Sequence, residues 1–205
     1  MLIHDLVKDI HQNAVNHGWW EEKRSLAEII ALIHSEWSEA LEEARAGRAN
    51  VYKSCSDCYD GPCMMTPYDA VLSVCEYDPS GKKPEGIVVE LIDGCIRIFD
   101  FMGDYDLSLS IEDDAVENVE DLYADYRACF TPTDTAELIA DLHNFTSLAY
   151  DAFCNDMMEE GWMWMAETLI KALSWVKGQG LDPLGILLMK HEYNKTRPYK
   201  HGKKF

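Results

Sequence analysis

Apolar residues recur along this chain at spacings of three and four, the period of an amphipathic α-helix, and the two-residue alternation of a sheet protein is absent. A first helix is predicted from Leu2 to His17, stopping at Gly18. Ser25 followed by Glu28 has the form of a capping box. The helix it opens carries Leu26, Ile29, Ile30, Ile33, Trp37, Ala40 and Leu41 and ends at Gly47. Residues 48–83 break the rhythm with Cys, Asp, Gly and Pro; they are expected to form a long inserted loop with a short strand near Val71–Tyr77. Helical pattern resumes at Pro84-Glu85 and continues to Met102-Gly103. Ser110 is expected to open a helix over 111–129, and Asp134 with Glu137 another over 134–154. Two more are expected, over 160–177 with Gly178 at its end, and from the cap Asp182-Pro183 to Thr196. Residues 1–205 therefore read as one all-α domain, a helical bundle with an inserted loop (48–83) and additional helices within 105–180.

The helix over 85–102, EGIVVELIDGCIRIFDFM, is apolar nearly all round, as a buried helix is. Yet Glu90, Asp93, Arg97 and Asp100 follow one another by three, four and three residues, which aligns them in one polar stripe. Buried carboxylates without partners are costly, so the stripe requires a cation, a hydrogen-bond network or a wet cleft. Glu36 and Glu39 repeat the theme one turn apart on the helix from Ser25. If the two helices face each other, four carboxylates converge, and a hard divalent cation such as Mg²⁺ or Mn²⁺ resolves their repulsion. A bland reading stands beside this one, with Glu39, Glu42 and Glu43 on a solvated face and Arg97 bridging internally to Asp93 or Asp100. A di-iron centre would call for Glu-x-x-His pairs, and none of the seven histidines has an acidic residue three positions before it.

Composition narrows the class. Apolar residues make up 47% and charged residues 27%, an ordinary globular balance. No apolar run approaches the roughly 18 residues needed to cross a bilayer. The start MLIHDLVKDIHQN does not have the form of a signal peptide, so a cytoplasmic location is expected. A net charge of −19 argues against nucleic acid or anionic membrane as a partner. The last 16 residues are the exception, with six basic side chains against one acidic. Seven cysteines, an odd number, fit a reducing compartment. Cys55-x-x-Cys58, Cys63 and Cys75 leave a zinc site open beside the alternative of free thiols in a loop. Trp162, Trp164 and Trp175 fall in helical pattern and read as core.

Glu36-x-x-Glu39 and Glu90-x-x-Asp93 resemble the paired motifs of the MazG-like, all-α nucleoside triphosphate pyrophosphohydrolases. The segments EIIALIHSEWSEALEE, KPEGIVVELIDGCIRIFDFMG, GLDPLGILLMKHEYNKTRPYKHGKK and HGWWEEKR carry the same resemblance, over about half the chain. The long loop and the extra helices within 105–180 depart from compact members.

The resemblance implies Mg²⁺-dependent hydrolysis of a nucleoside triphosphate to monophosphate and pyrophosphate, by a homodimer or higher homo-oligomer. By position it makes Glu36, Glu39, Glu90 and Asp93 metal ligands, with Glu39 orienting or deprotonating the attacking water. Lys190, Asn194 and Arg197 would contact the phosphates; their spacing of four and three allows one helical face to present all three. Asn13, His17, Trp19 and Trp20 are candidates for holding the base by hydrogen bonds and stacking, although the two tryptophans would equally serve as an interhelix anchor. A nucleotide-binding regulatory module with little turnover is the alternative.

Overall fold

The computed structural model describes residues 1–53, 83–105, 110–111, 114–115, 117–125 and 134–202. Six α-helices carry the described chain: α1 (Ile3–Asn16), α2 (Leu26–Arg45), α3 (Ile87–Asp104), α4 (Thr135–Cys154), α5 (Met158–Gly178) and α6 (Pro183–Lys195). The fold is all-α, and α3 is its axis. Fourteen of the eighteen α3 residues are buried, because α1, α2, α5 and α6 all pack against it. The nearly unbroken apolar circumference of α3 has no other place to go than the middle of a bundle.

Around that axis each helix shows the stripe its sequence encodes. In α1, Ile3, Leu6, Val7 and Ile10 face inward. In α2 the buried set is Ile29, Ile30, Ile33, Glu36, Trp37 and Ala40, with a carboxylate among the core positions. The Ser25 side chain accepts from the Glu28 amide at 3.1 Å, satisfying one unpaired donor at the helix start, while the Glu28 carboxylate meets Arg24 Nε at 3.2 Å. Asp134 caps α4 in the same way, through the Glu137 amide at 2.8 Å. Asp182 makes no side-chain cap, contrary to expectation; Pro183, whose fixed φ suits a first helical turn, opens α6.

The helices α4 and α5 form an antiparallel hairpin, and α4 packs along α2. Two polar contacts fasten that second seam. Trp37 Nε1 donates to Thr146 Oγ1 at 3.0 Å, and His34 Nδ1 lies 2.8 Å from His143 Nδ1 with the rings stacked.

The described strands are short. β1 (Tyr52–Lys53) pairs antiparallel with β2 (Pro84–Glu85), which brings the two ends of the 48–83 insertion together immediately before α3. Gly86 makes the sharp entry into that helix at φ +116°, where a Cβ would strike the Asn50 and Ala49 carbonyl oxygens at 2.6 and 2.7 Å. The strand expected near Val71–Tyr77 and Cys55, Cys58, Cys63 and Cys75 lie outside the described residues. Cys95 is buried in α3 and Cys154 is exposed, both free thiols.

The described residues within 111–129 do not form the expected α-helix. β3 (Ser110–Ile111) pairs with β4 (Asp114–Ala115), and Asn118 with Asp121 forms a capping box on a 3-10 turn, Val119–Tyr123. Its text, IEDDAVENVEDL, crowds like charges at helical spacing and offers few apolar positions to bury, so local Asn and Asp hydrogen bonding prevails. No described helix is long and apolar enough to cross a membrane.

Candidate active site

The site begins where α2 and α3 touch most closely. Gly94 of α3 lies under the Trp37 ring; a Cβ there would come within 2.1 Å of the ring edge. Glu36 and Glu39 flank Trp37 in sequence, and Glu90 and Asp93 precede Gly94, so the same crossing that buries the tryptophan brings both acidic pairs to one edge of the contact. Oxygens of Glu36, Glu39 and Glu90 lie within 4.8 Å of one another. Asp93 stands beside them, and α6 crosses it to place Lys190 Nζ 2.7 Å from Asp93 Oδ2.

The four carboxylates meet their mutual repulsion differently. Glu36 is buried and accepts from Arg97 Nε at 3.0 Å; burial, with Asp93 and Glu39 nearby, still lifts its pKa above the usual range. Glu90 is buried without an ion pair among the described residues, and desolvation, then Asp93, pushes it up to about 8. Asp93 is half-buried against Lys190, and Glu39 is exposed. Burial would lower the Arg97 pKa, but Glu36 and Asp93 outweigh it and hold the guanidinium firmly charged.

These groups open on a cavity of about 110 Å³. Of the residues expected at the site, Glu36, Glu39, Glu90, Asp93, Asn194, Arg197, Asn13 and Trp19 line it. Asn194 Oδ1 is buried there without a hydrogen-bond partner among the described residues. Lys190 is 1% exposed; it is locked between Asp93 and the Pro84 carbonyl, at 3.3 Å, rather than presented to the cavity. His17 and Trp20 stand outside the lining. The His17 ring bridges the carbonyls of Asn13 and Arg197 at 2.8 and 2.9 Å, tying the end of α1 to the chain after α6. Trp20 Nε1 donates to Asp100 Oδ1 at 2.9 Å.

Three features were not anticipated. Arg97 pairs across to Glu36 on α2, not along its own helix to Asp93 or Asp100. Asp100 faces α1, where its oxygen accepts from both His11, at 2.9 Å, and Trp20. The cavity also takes in Lys83 and His191, whose partners Glu85 and Asp9 lie two and 182 positions away. Glu85 stands two residues from Lys83 in the sequence; the Asp9 contact has no signal there.

An all-oxygen cluster of this kind fits a hard divalent cation. Three carboxylate oxygens within 4.8 Å, beside a fourth carboxylate on the same cavity, supply the ligand type that Mg²⁺ and Mn²⁺ prefer. Lys83, Asn194 and Arg197 add donors on the same cavity, so a small anion such as phosphate has partners beside the acidic cluster. No family model, curated protein or solved structure matches the chain.

Proposed function

We propose that this protein is a Mg²⁺-dependent nucleoside triphosphate pyrophosphohydrolase of the MazG-like kind, converting a nucleoside triphosphate and water to the monophosphate and pyrophosphate. The observation that carries the reading is the convergence of Glu36, Glu39 and Glu90 beside Asp93 in a cavity that also contains Asn194 and Arg197.

Phosphoryl chemistry asks a protein mainly for positioning and charge stabilisation. Glu36, Glu39, Glu90 and Asp93 would hold the metal, which when bound neutralises phosphate oxygens and acidifies water. Glu39, the solvent-facing member, is the carboxylate free to orient the attacking water and take its proton. Glu36 and Asp93 are already fixed by Arg97 and Lys190, so these two cations position ligands rather than touch phosphate. Arg197 offers a planar fork to the departing pyrophosphate and Asn194 an amide donor. Attack at the α-phosphorus forms one P–O bond to water and breaks the bond to the β-phosphate oxygen, which leaves as pyrophosphate.

The test is product identification by ³¹P NMR after incubation with a panel of ribo- and deoxynucleoside triphosphates, with Mg²⁺ and with EDTA. Monophosphate plus pyrophosphate, only with Mg²⁺ and abolished by Glu39→Gln with the helical spectrum intact, is the expected result. Diphosphate plus inorganic phosphate, or no turnover of any triphosphate, would refute the proposal.

A further inference from the structure

His191 is a buried polar group on the cavity wall. It is 1% exposed, and its Nε2 lies 2.9 Å from Asp9 Oδ2. Asp9 also binds Lys195 Nζ at 2.8 Å, and that hydrogen bond, opposed by some burial and aided by His191, holds its carboxyl below the usual range. An ionised carboxylate only accepts, so Nε2 must carry the proton. Among the described residues His191 makes no other hydrogen bond. Burial draws the imidazole below its ordinary pKa, so at neutral pH the ring carries one proton and Nδ1 keeps its lone pair. The chain Lys195–Asp9–His191 thus sets the polarity of a group lining the cavity.

Asn194, three residues along the same helix, adds a second acceptor. Its buried Oδ1 has no partner among the described residues, an unusual state that a ligand would relieve. These two acceptor atoms, His191 Nδ1 and Asn194 Oδ1, call for hydrogen-bond donors, while the Asn194 amide nitrogen stays available to a phosphate oxygen. His191 and Asn194 precede Arg197, which follows the end of α6 and faces the same cavity, by six and three residues. On a nucleotide, the donors that close to the phosphates are the sugar hydroxyls; base N–H groups lie beyond the sugar.

We infer that His191, oriented by Asp9 and Lys195, binds a sugar hydroxyl of the nucleotide through Nδ1 and so sets the sugar preference of the site. This rests on the nucleotide reading of the cavity. A base amino group offers the same chemistry, and the arms below separate the two.

Titration calorimetry with Mg²⁺ would compare α,β-imido analogues carrying ribose, 2′-deoxyribose or 2′,3′-dideoxyribose, each with cytosine and with uracil. The wild type should lose about five- to tenfold in affinity when the bonded hydroxyl is removed. His191→Leu should bind hydroxylated and dideoxy analogues alike, at the wild-type dideoxy affinity, whereas His191→Asn, whose side-chain oxygen can approach the Nδ1 position, should keep part of the preference. An unchanged hydroxyl preference in His191→Leu overturns the inference. So does a change in cytosine against uracil without one in the sugar series, which would assign the donor to the base. If no analogue binds the wild type, the nucleotide reading itself fails and takes this inference with it. Should His191→Leu not fold, ¹H–¹⁵N spectra of histidine-labelled, metal-free wild type decide. An Nε2–H tautomer whose Nδ1 resonance shifts on adding the ribose analogue but not the dideoxy analogue supports the assignment; a doubly protonated ring, an Nδ1–H tautomer or no such difference overturns it.

Discussion

Replacing Gly94 by alanine probes the contact on which the whole acidic cluster depends. The added Cβ would lie 2.1, 2.2 and 2.8 Å from three carbons of the Trp37 ring, where unstrained carbon contacts are about 3.5–4.0 Å. The ring has little room to yield: Trp37 is fully buried, its Nε1 is bonded to Thr146, and the Thr146 hydroxyl is itself committed to the Leu142 carbonyl at 2.7 Å. Helices α2 and α3 must therefore separate. Overpacking of this kind costs about 1–3 kcal/mol or more, and the better helix propensity of alanine returns about 1 kcal/mol. With so rigid a neighbour the overlap should prevail by about 2 kcal/mol, a fall in Tm of roughly 4–8 °C for a chain of this size. Urea denaturation followed by circular dichroism measures the stability. Calorimetric titration with Mg²⁺ should show weaker binding, because Glu36 and Glu39 ride on one helix and Glu90 and Asp93 on the other. Gly47→Ala is the control: nothing lies within 4 Å of that Cβ, and only the left-handed φ of +63° opposes it, for about 1 kcal/mol. If Gly94→Ala is as stable as the wild type and binds Mg²⁺ equally, the helix crossing described above is wrong.

Three further outcomes follow from the charges. Desolvation raises the native Glu90 pKa to about 8, so its contribution to the stability of metal-free protein is full below the unfolded value near 4.5 and is lost as pH rises through 8; Glu90→Gln should flatten that decline in Tm measured in EDTA, and an unaltered slope would contradict it. Burial lowers the pKa of His34, assisted by His143, and burial lowers that of His143 as well, so the pair contributes stability above pH 6.5 that is lost as pH falls through the native values; His143→Gln should narrow the gap between urea midpoints at pH 7.5 and 5, and an equal gap would show the contact to be inert. Lys190→Met strands Asp93 without its buried counter-charge and should cost about 3 kcal/mol in EDTA but less in saturating Mg²⁺; equal losses in both buffers would separate Asp93 from metal binding.

What the chain disclosed before folding was the part governed by local period. Ser25 and Asp134 announced their helices because a capping side chain reaches an amide three residues on. The Glu90 and Asp93 stripe stood out because carboxylates on a greasy helix contradict burial, and α3 is indeed the buried axis. Contacts across the bundle carried no comparable signature. Arg97 sat between two acidic residues of its own helix and bonded a third, 61 positions away, because its long side chain spans the α2–α3 seam. The 110–125 segment failed for the opposite reason: helical spacing was present, but there was too little apolar surface to reward a helix. Lys190 kept its place in the sequence pattern while changing its partner, since a side chain 1% exposed reaches whatever anion is packed against it.

The internal cations explain how so acidic a cluster folds without a bound metal. Arg97 answers Glu36 and Lys190 answers Asp93, each by a direct ion pair. Glu39 needs no partner because water solvates it, and Glu90 sheds its charge by keeping a proton near neutral pH. Of the four carboxylates, the two without a cation partner among the described residues are thus those whose charge is held off by solvent and by protonation. A divalent ion entering between them would have two negative charges to meet, one exposed and one released with the Glu90 proton. Neither ion pair has to break. A cluster neutralised entirely by lysine and arginine would resist a metal, and one left entirely bare would oppose folding; dividing the four carboxylates in this way avoids both.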